Sequence, residues 1–268
     1  FMFWLIAFTI IIGGLTRLTD SGLSITEWEL FSGILPPFSE IQWLNYFNLY
    51  KKIPEFELQN YSMTIKEFKI IFWWEWIHRF LGRLIGIYFL IPLIFFSFKL
   101  GFSKVLNFYA IFFLICFQGF VGWYMVSSGL VERIDVSHFR LSLHLLIAFI
   151  ILSLILWNYL QLKNIILSSQ KLNNFTLLFF VFLIFSQIVL GAFVSGMDAG
   201  KIYNTWPLMG SSFFPDDSNF IKLFEISALS DPSLVQFMHR TLAYLILLFY
   251  LFILIRIYKN NLNSFFYS

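Results

Sequence analysis

The residues Glu75-Trp-Ile-His78-Arg79-Phe-Leu-Gly82-Arg83 run straight into Leu84-Ile-Gly-Ile-Tyr-Phe-Leu-Ile-Pro-Leu-Ile-Phe-Phe-Ser-Phe98, a stretch without a single charge. A run from Ile70 to Phe98 exceeds the ~20 residues a helix needs to cross a hydrocarbon core. Its ionisable groups crowd the first turns and its apolar remainder follows, as in a helix that enters a bilayer with a polar edge. Working outward, five more stretches read the same way: Phe1–Leu15 (cut short at its start), Val105–Ser127, Leu141–Leu162, Phe175–Met197 and Leu234–Tyr258. Six spans and no strand pattern predict an all-α, polytopic transmembrane helical bundle.

Composition agrees. The chain is 59% apolar and 12% charged, against about a quarter charged in soluble domains. A net charge of +3 without a basic stripe gives no sign of nucleic acid as a partner. The one cysteine, Cys116, lies inside a span, which excludes an intrachain disulfide or a thiolate metal site. No cleavable signal or transit peptide is visible. The chain opens at Phe1 within an apolar run, so a preceding N-terminal piece is expected. The 37 Phe, with many Ile, Lys and Asn, suit an AT-rich genome.

Charge sorts by side. The second-to-third loop, the fourth-to-fifth loop and the tail hold Lys99, Lys104, Lys163, Lys171, Arg256 and Lys259 and no acid. All fifteen Asp and Glu fall in the other loops or at the helix ends facing them. Short basic loops mark the inner side, so the acid-bearing loops are expected to face outward. Two of these, 16–69 and 198–233, are long and rich in Pro, Gly, Trp and Asp, which predicts ordered caps. Leu35-Pro36-Pro37 and Trp206-Pro207-Leu208 mark turns within them.

The chain repeats itself. Gly13 precedes Asp20-Ser-Gly22 by seven residues, and Gly191 precedes Asp198-Ala-Gly200 by seven. Glu75-Trp-Ile-His78-Arg79-Phe-Leu81 is echoed by Gln236-Phe-Met-His239-Arg240-Thr-Leu242. Spans one and two therefore match spans five and six. A four-helix unit gives a first half at 1–162 and an incomplete second half at 163–268. The pattern predicts two further helices beyond Ser268, with a fourth histidine mirroring His144.

His78, His144 and His239 each lie in the first turns of a different even-numbered span, while His138 sits in the loop before the fourth. Ionisable groups at membrane depth face the bundle interior. Each histidine alone reads as a helix-end polar residue. Together, His78 and His144 on facing helices suit a haem iron ligated from both sides, and His239 would pair with the missing counterpart. Zinc fits less well, because it needs three or four ligands close together. Glu75 shares a helix face with His78. It reads either as an ion pair with Arg79 or as a carboxylate that moves a proton beside the iron. Arg79, Arg83 and Arg240 read as headgroup-snorkelling residues or as clamps for haem propionates. Gln118 and Gln187 are expected to bond across helices.

At this point longer strings are recognisable. Gly13-Gly-Leu-Thr-Arg17-Leu-Thr-Asp20-Ser-Gly22-Leu-Ser-Ile-Thr-Glu27-Trp28 and Gly33-Ile-Leu-Pro36-Pro37 resemble the first outer loop of heme A synthases. So do the segments Glu75–Arg83, Gln118-Gly-Phe-Val-Gly122-Trp-Tyr-Met-Val-Ser-Ser-Gly129, Val136-Ser-His138-Phe-Arg140-Leu-Ser-Leu-His144, Gly191–Gly200, Tyr203-Asn204-Thr-Trp-Pro207-Leu-Met-Gly210 and Gln236–Arg240. The resemblance covers nearly the whole chain, in order, and points to the alphaproteobacterial and mitochondrial branch.

The resemblance implies an oxidoreductase that converts the C8 methyl of haem O to a formyl group, by successive hydroxylations, to make haem A for cytochrome c oxidase. It implies eight helices in two halves. His78 and His144 match the pair that holds substrate haem, Glu75 matches a carboxylate of the reaction, and His239 matches one of two ligands to a haem b cofactor. The partners it points to are haem O, membrane lipid, the enzyme that makes haem O, an electron donor and, as an open option, a second copy of the chain. The chain departs from the family in lacking the last two helices and the cysteine pair some relatives carry. The location expected is the mitochondrial inner membrane, with a bacterial plasma membrane as the alternative and the haem sites toward the outer side. Two rival readings are a di-haem electron-transfer protein of cytochrome b type and a non-catalytic assembly or transport protein. A prenyltransferase is excluded, because no Asp-x-x-x-Asp occurs.

Overall fold

A computed structural model describes residues 1–28, 32–132, 135–163 and 173–259. Its helices are α1 Met2–Leu18, α2 Glu40–Tyr50, α3 Pro54–Leu58, α4 Ile65–Leu100, α5 Leu106–Glu132, α6 His138–Leu162, α7 Asn174–Gly196 and α8 Pro232–Lys259. Short 3-10 turns complete the described secondary structure, with no strand among the described residues. The chain is an all-α polytopic membrane bundle. Helices α4 to α8 each contain a stretch long and apolar enough to cross a membrane, and α1 is a shorter apolar helix of 17 residues. Lys171 and the tail beyond Lys259, both part of the basic-loop argument, lie outside the described residues.

Contacts divide the chain at Leu156, within α6. In the first unit, α1, α4, α5 and α6 meet through Ile6, Ile85, Ile111, Val121, Ile147 and Ile151, all buried. Isoleucines such as Ile87 and Ile91 point outward on α4, as lipid-facing residues should. In lipid such packing has little hydrophobic drive of its own. The loop between α1 and α4, outside the apolar spans, is different.

There the chain forms helices the hydropathy profile does not show. Ser39 and Gln42 close a capping box on α2, and Thr64 and Glu67 close one on α4. Trp43, Phe47 and Tyr50 of α2 bury against Phe68 and Phe72 of α4. The Trp43 and Phe72 rings meet edge to face at 4.9 Å. Burying each large side chain contributes about 1.5–3 kcal/mol, so this cap is a small aqueous core on top of the bundle.

In the second unit, α7 packs along α8 through Leu177, Phe180, Phe249, Ile253 and Ile257. Its loop is pinned by Asp217, which accepts from the Tyr203 hydroxyl at 2.8 Å and the Ser233 hydroxyl at 2.7 Å.

The repeat survives in the backbone. Asp20 and Asp198 follow α1 and α7 in the left-handed region, at φ 47° and 51°. Ser21 N–H reaches the Thr16 carbonyl at 2.9 Å and Asp20 N–H the Arg17 carbonyl at 3.2 Å, the double bond that ends a helix when its next residue turns left-handed. One expectation needs correcting. His138 is not a loop residue but the first residue of α6, six positions and about 240° around the helix from His144.

Candidate functional site

Glu75 lies three residues before His78 on α4, buried at 3% exposure. Its Oε2 accepts from the Ser24 hydroxyl at 2.7 Å and the Ile25 N–H at 2.8 Å, and its Oε1 accepts from the Arg79 guanidinium at 2.5 Å. Arg79 also donates to the Ile25 carbonyl at 2.9 Å. One acid and one arginine thus clamp both backbone groups of Ile25, five residues beyond Asp20. The second unit repeats the clamp. Gln236 accepts from the Tyr203 N–H at 3.3 Å and donates to the Tyr203 carbonyl at 2.9 Å, and Arg240 donates to that carbonyl at 2.7 Å. Tyr203 lies five residues beyond Asp198.

One turn deeper are the histidines. The His78 and His144 ring centres stand 6.4 Å apart with planes at 69°. Each ring has one nitrogen engaged by the neighbouring odd-numbered helix: His78 at the Thr9 backbone of α1 and His144 at the Gln118 backbone of α5. The other nitrogen, Nδ1, is buried without a hydrogen-bond partner in both. A buried polar atom left without a partner costs about 1–3 kcal/mol, so two on neighbouring rings call for an occupant. A metal bonded at about 2 Å from each nitrogen, with roughly 1 Å more to each ring centre, sets the rings about 6 Å apart. The pair fits one iron with an imidazole on each side. A ligating histidine that rests its other nitrogen on a backbone carbonyl is the usual arrangement around metals.

In the second unit, the Gln187 side chain reaches both the His239 ring at 3.3 Å and the His239 carbonyl at 3.2 Å, and His239 Nδ1 is again unpartnered. Gln118 likewise donates to the His144 carbonyl at 2.9 Å. Both glutamines bond across helices, as the sequence suggested. No cluster of three or more His, Cys, Asp or Glu suited to a metal occurs among the described residues. His138 stacks near Phe139 at 4.2 Å and is not part of the facing pair.

The arginines divide. Arg240 directs its guanidinium into the carbonyls of Tyr203 and Thr205. Arg79 lies 5.4 Å from the Trp28 ring centre and borders two recesses. Glu27, Trp76 and Arg83 line one. Trp28, Trp123 and Leu130 line the other.

The sequence profile of the cytochrome oxidase assembly proteins, COX15-CtaA, matches residues 1–266. The chain belongs to this family. It is 53% identical over 270 residues to the heme A synthase of Pelagibacter ubique, covering 99% of this chain and 80% of that protein. The heme A synthase of Rickettsia bellii is 49% identical over 88% of this chain and 72% of its own length, and that of Maricaulis maris 46% over 91% and 72%. No solved structure matches. Sequence reasoning singled out the histidines and Glu75 but not the residues that lie against the three rings: the Thr9 backbone and the glycines Gly13, Gly122 and Gly191.

Proposed function

We propose that this heme A synthase holds its substrate, haem O, between His78 and His144 and oxidises the C8 methyl there to the formyl of haem A. The facing pair, 6.4 Å apart with unpartnered nitrogens, is the observation that carries the reading. Haem iron supplies the redox chemistry when bound. The protein supplies orientation: α1 and α5 grip one nitrogen of each imidazole and leave the other to the metal. Glu75, one turn from His78, holds a carboxylate able to accept the proton a methyl loses on oxidation. Arg79 and Arg83, on the recesses above, suit the anionic propionates.

His239 is proposed as a ligand to a haem b in the second unit, with Arg240 fixing the loop above it. The chain is a multi-pass membrane protein. The bacterial sources of the relatives favour a bacterial plasma membrane, with the haem sites on the side of the acid-bearing loops. An enzyme that makes haem O and an electron donor complete the proposed partners.

The test is co-expression with a haem O-producing enzyme, followed by extraction and chromatography of haems. Haem A is expected. Haem O left unoxidised beside an inserted protein overturns the reading.

A further inference from the structure

Three glycines stand where a side chain would crowd the rings of three histidines. A Cβ added at Gly13 of α1 would lie 2.7 Å from Cε1 of His78, one at Gly122 of α5 would lie 3.0 Å from Cε1 of His144, and one at Gly191 of α7 would lie 3.2 Å from Cε1 of His239. The same ring atom is nearest in each case, the carbon between the two nitrogens. The three heavy atoms nearest each position are Cε1 and the two ring nitrogens of that one histidine. In each helix, the residue that grips the histidine lies four positions before the glycine: Thr9, Gln118 and Gln187. That is one turn earlier on the same face.

We propose that Gly13, Gly122 and Gly191 are positioning residues, each seating the imidazole of the following span so that its free nitrogen is aimed at iron. The ligand-bearing unit is then a helix pair, used three times: α1 with α4, α5 with α6, and α7 with α8. This goes below the four-helix repeat that the sequence shows. It rests on the reading of these histidines as haem ligands, yet the seat itself is a packing relation that exists without haem.

The helix does not need these glycines for its own sake. Alanine is the better helix former, so Gly→Ala at each site improves the helix and harms only what touches it. Gly14 and Gly119 are neighbours in the same helices with open space around their Cβ positions, and they serve as controls.

The first experiment is a double-mutant cycle on the haem-free full chain in detergent, read by thermal unfolding. Gly13→Ala is expected to lower Tm by several degrees in the presence of His78 and to lose that penalty in the His78→Ala background. Gly122→Ala should behave likewise toward His144. An equal drop in both backgrounds, or no drop in either, overturns the seat. The second experiment loads the same variants with haem and records retained haem and its low-spin, two-imidazole spectrum. Retention should fall about 10–100-fold for Gly13→Ala, less for Gly122→Ala and least for Gly191→Ala, following the three distances. Gly14→Ala and Gly119→Ala should match wild type. A reversed order, or controls that lose haem equally, overturns the proposal. A wild-type protein that takes up no two-imidazole haem defeats the functional reading, while the haem-free cycle still decides the seat.

Discussion

The two loop clamps of this protein share a plan and differ in one atom type. At Ile25 a carboxylate and an arginine hold the backbone, and at Tyr203 an amide and an arginine hold it. The amide does the structural task with a donor and an acceptor of its own. A buried charge is therefore not what the clamp requires. Burying a carboxylate costs several kcal/mol unless it is fully paired, and the first unit pairs Glu75 with Ser24, Ile25 and Arg79 together. The carboxylate stands in the unit where two histidine rings lie 6.4 Å apart, and the chemical role proposed for it rests on that placement.

The comparison breaks first at the histidines. His78→Ala or His144→Ala should abolish haem A formation in the co-expression assay while the protein still inserts. His239→Ala should leave haem O bound in the first unit and stop turnover for want of electrons. Haem A at wild-type levels from the first two variants removes the facing pair from the reaction.

Glu75→Gln is the next largest. It writes the second unit's amide into the first, where it can still accept from Ile25 while Arg79 keeps the Ile25 carbonyl. Bound haem should persist and haem A output fall by about a hundredfold or more. Unchanged output returns Glu75 to a purely structural partner of Arg79. Glu75→Ala goes further, leaving the largely covered Arg79 without its counter-charge, and should destabilise the unit by up to about 3 kcal/mol, read as a lower unfolding temperature.

Much of this was legible before any coordinates. Hydropathy is a one-dimensional signal, so the five long apolar helices and the shorter α1 are located by it, and histidine spacing marks the helix faces that bring His78 and His144 together. What stayed hidden depends on partners far along the chain. Gly13 and Gly191 aligned as a repeat, but nothing in a sequence says which ring a glycine faces, and Gly122 joined them only once α5 lay against His144. Helices α2 and α3 carry local signals, Ser39-x-x-Gln42 and Pro54 at a first helical position, but lie in a stretch whose Pro and Gly content points to turns. Glu55 was unreadable in principle. On a five-residue helix beside Glu57 an acid looks solvated, yet it lies at 4% exposure beneath the aromatic cap.

Glu55 also sharpens the comparison, because the two caps should answer pH in opposite directions. Burial, partly offset by the Tyr50 hydroxyl and reinforced by Glu75, Asp135 and Asp20, pushes its carboxyl up from 4.5 to about 8. Folding therefore favours the protonated form. Its contribution is complete below pH 4.5, declines as pH rises, and is gone above about 8. Hydrogen exchange across α2 and α3 should quicken over that window, and Glu55→Gln should flatten the dependence. An unchanged profile in the variant refutes the assignment.

The second cap should show the smaller and reversed effect. The Ser233 hydroxyl, with that of Tyr203, holds Asp217 below its ordinary 3.8, and the Ser211 N–H and hydroxyl do the same for Asp216. Both favour the charged form, so their contribution stands above pH 3.8 and is lost as pH falls through the depressed values. Both are solvent-facing, where such bonds are screened and individually weak. Asp217→Asn should loosen the 198–233 loop at neutral pH, read as faster proteolysis there, and leave haem binding in the first unit untouched. Loss of first-unit haem in that variant would mean the two caps are coupled, and the description of two separately clamped loops would have to give way.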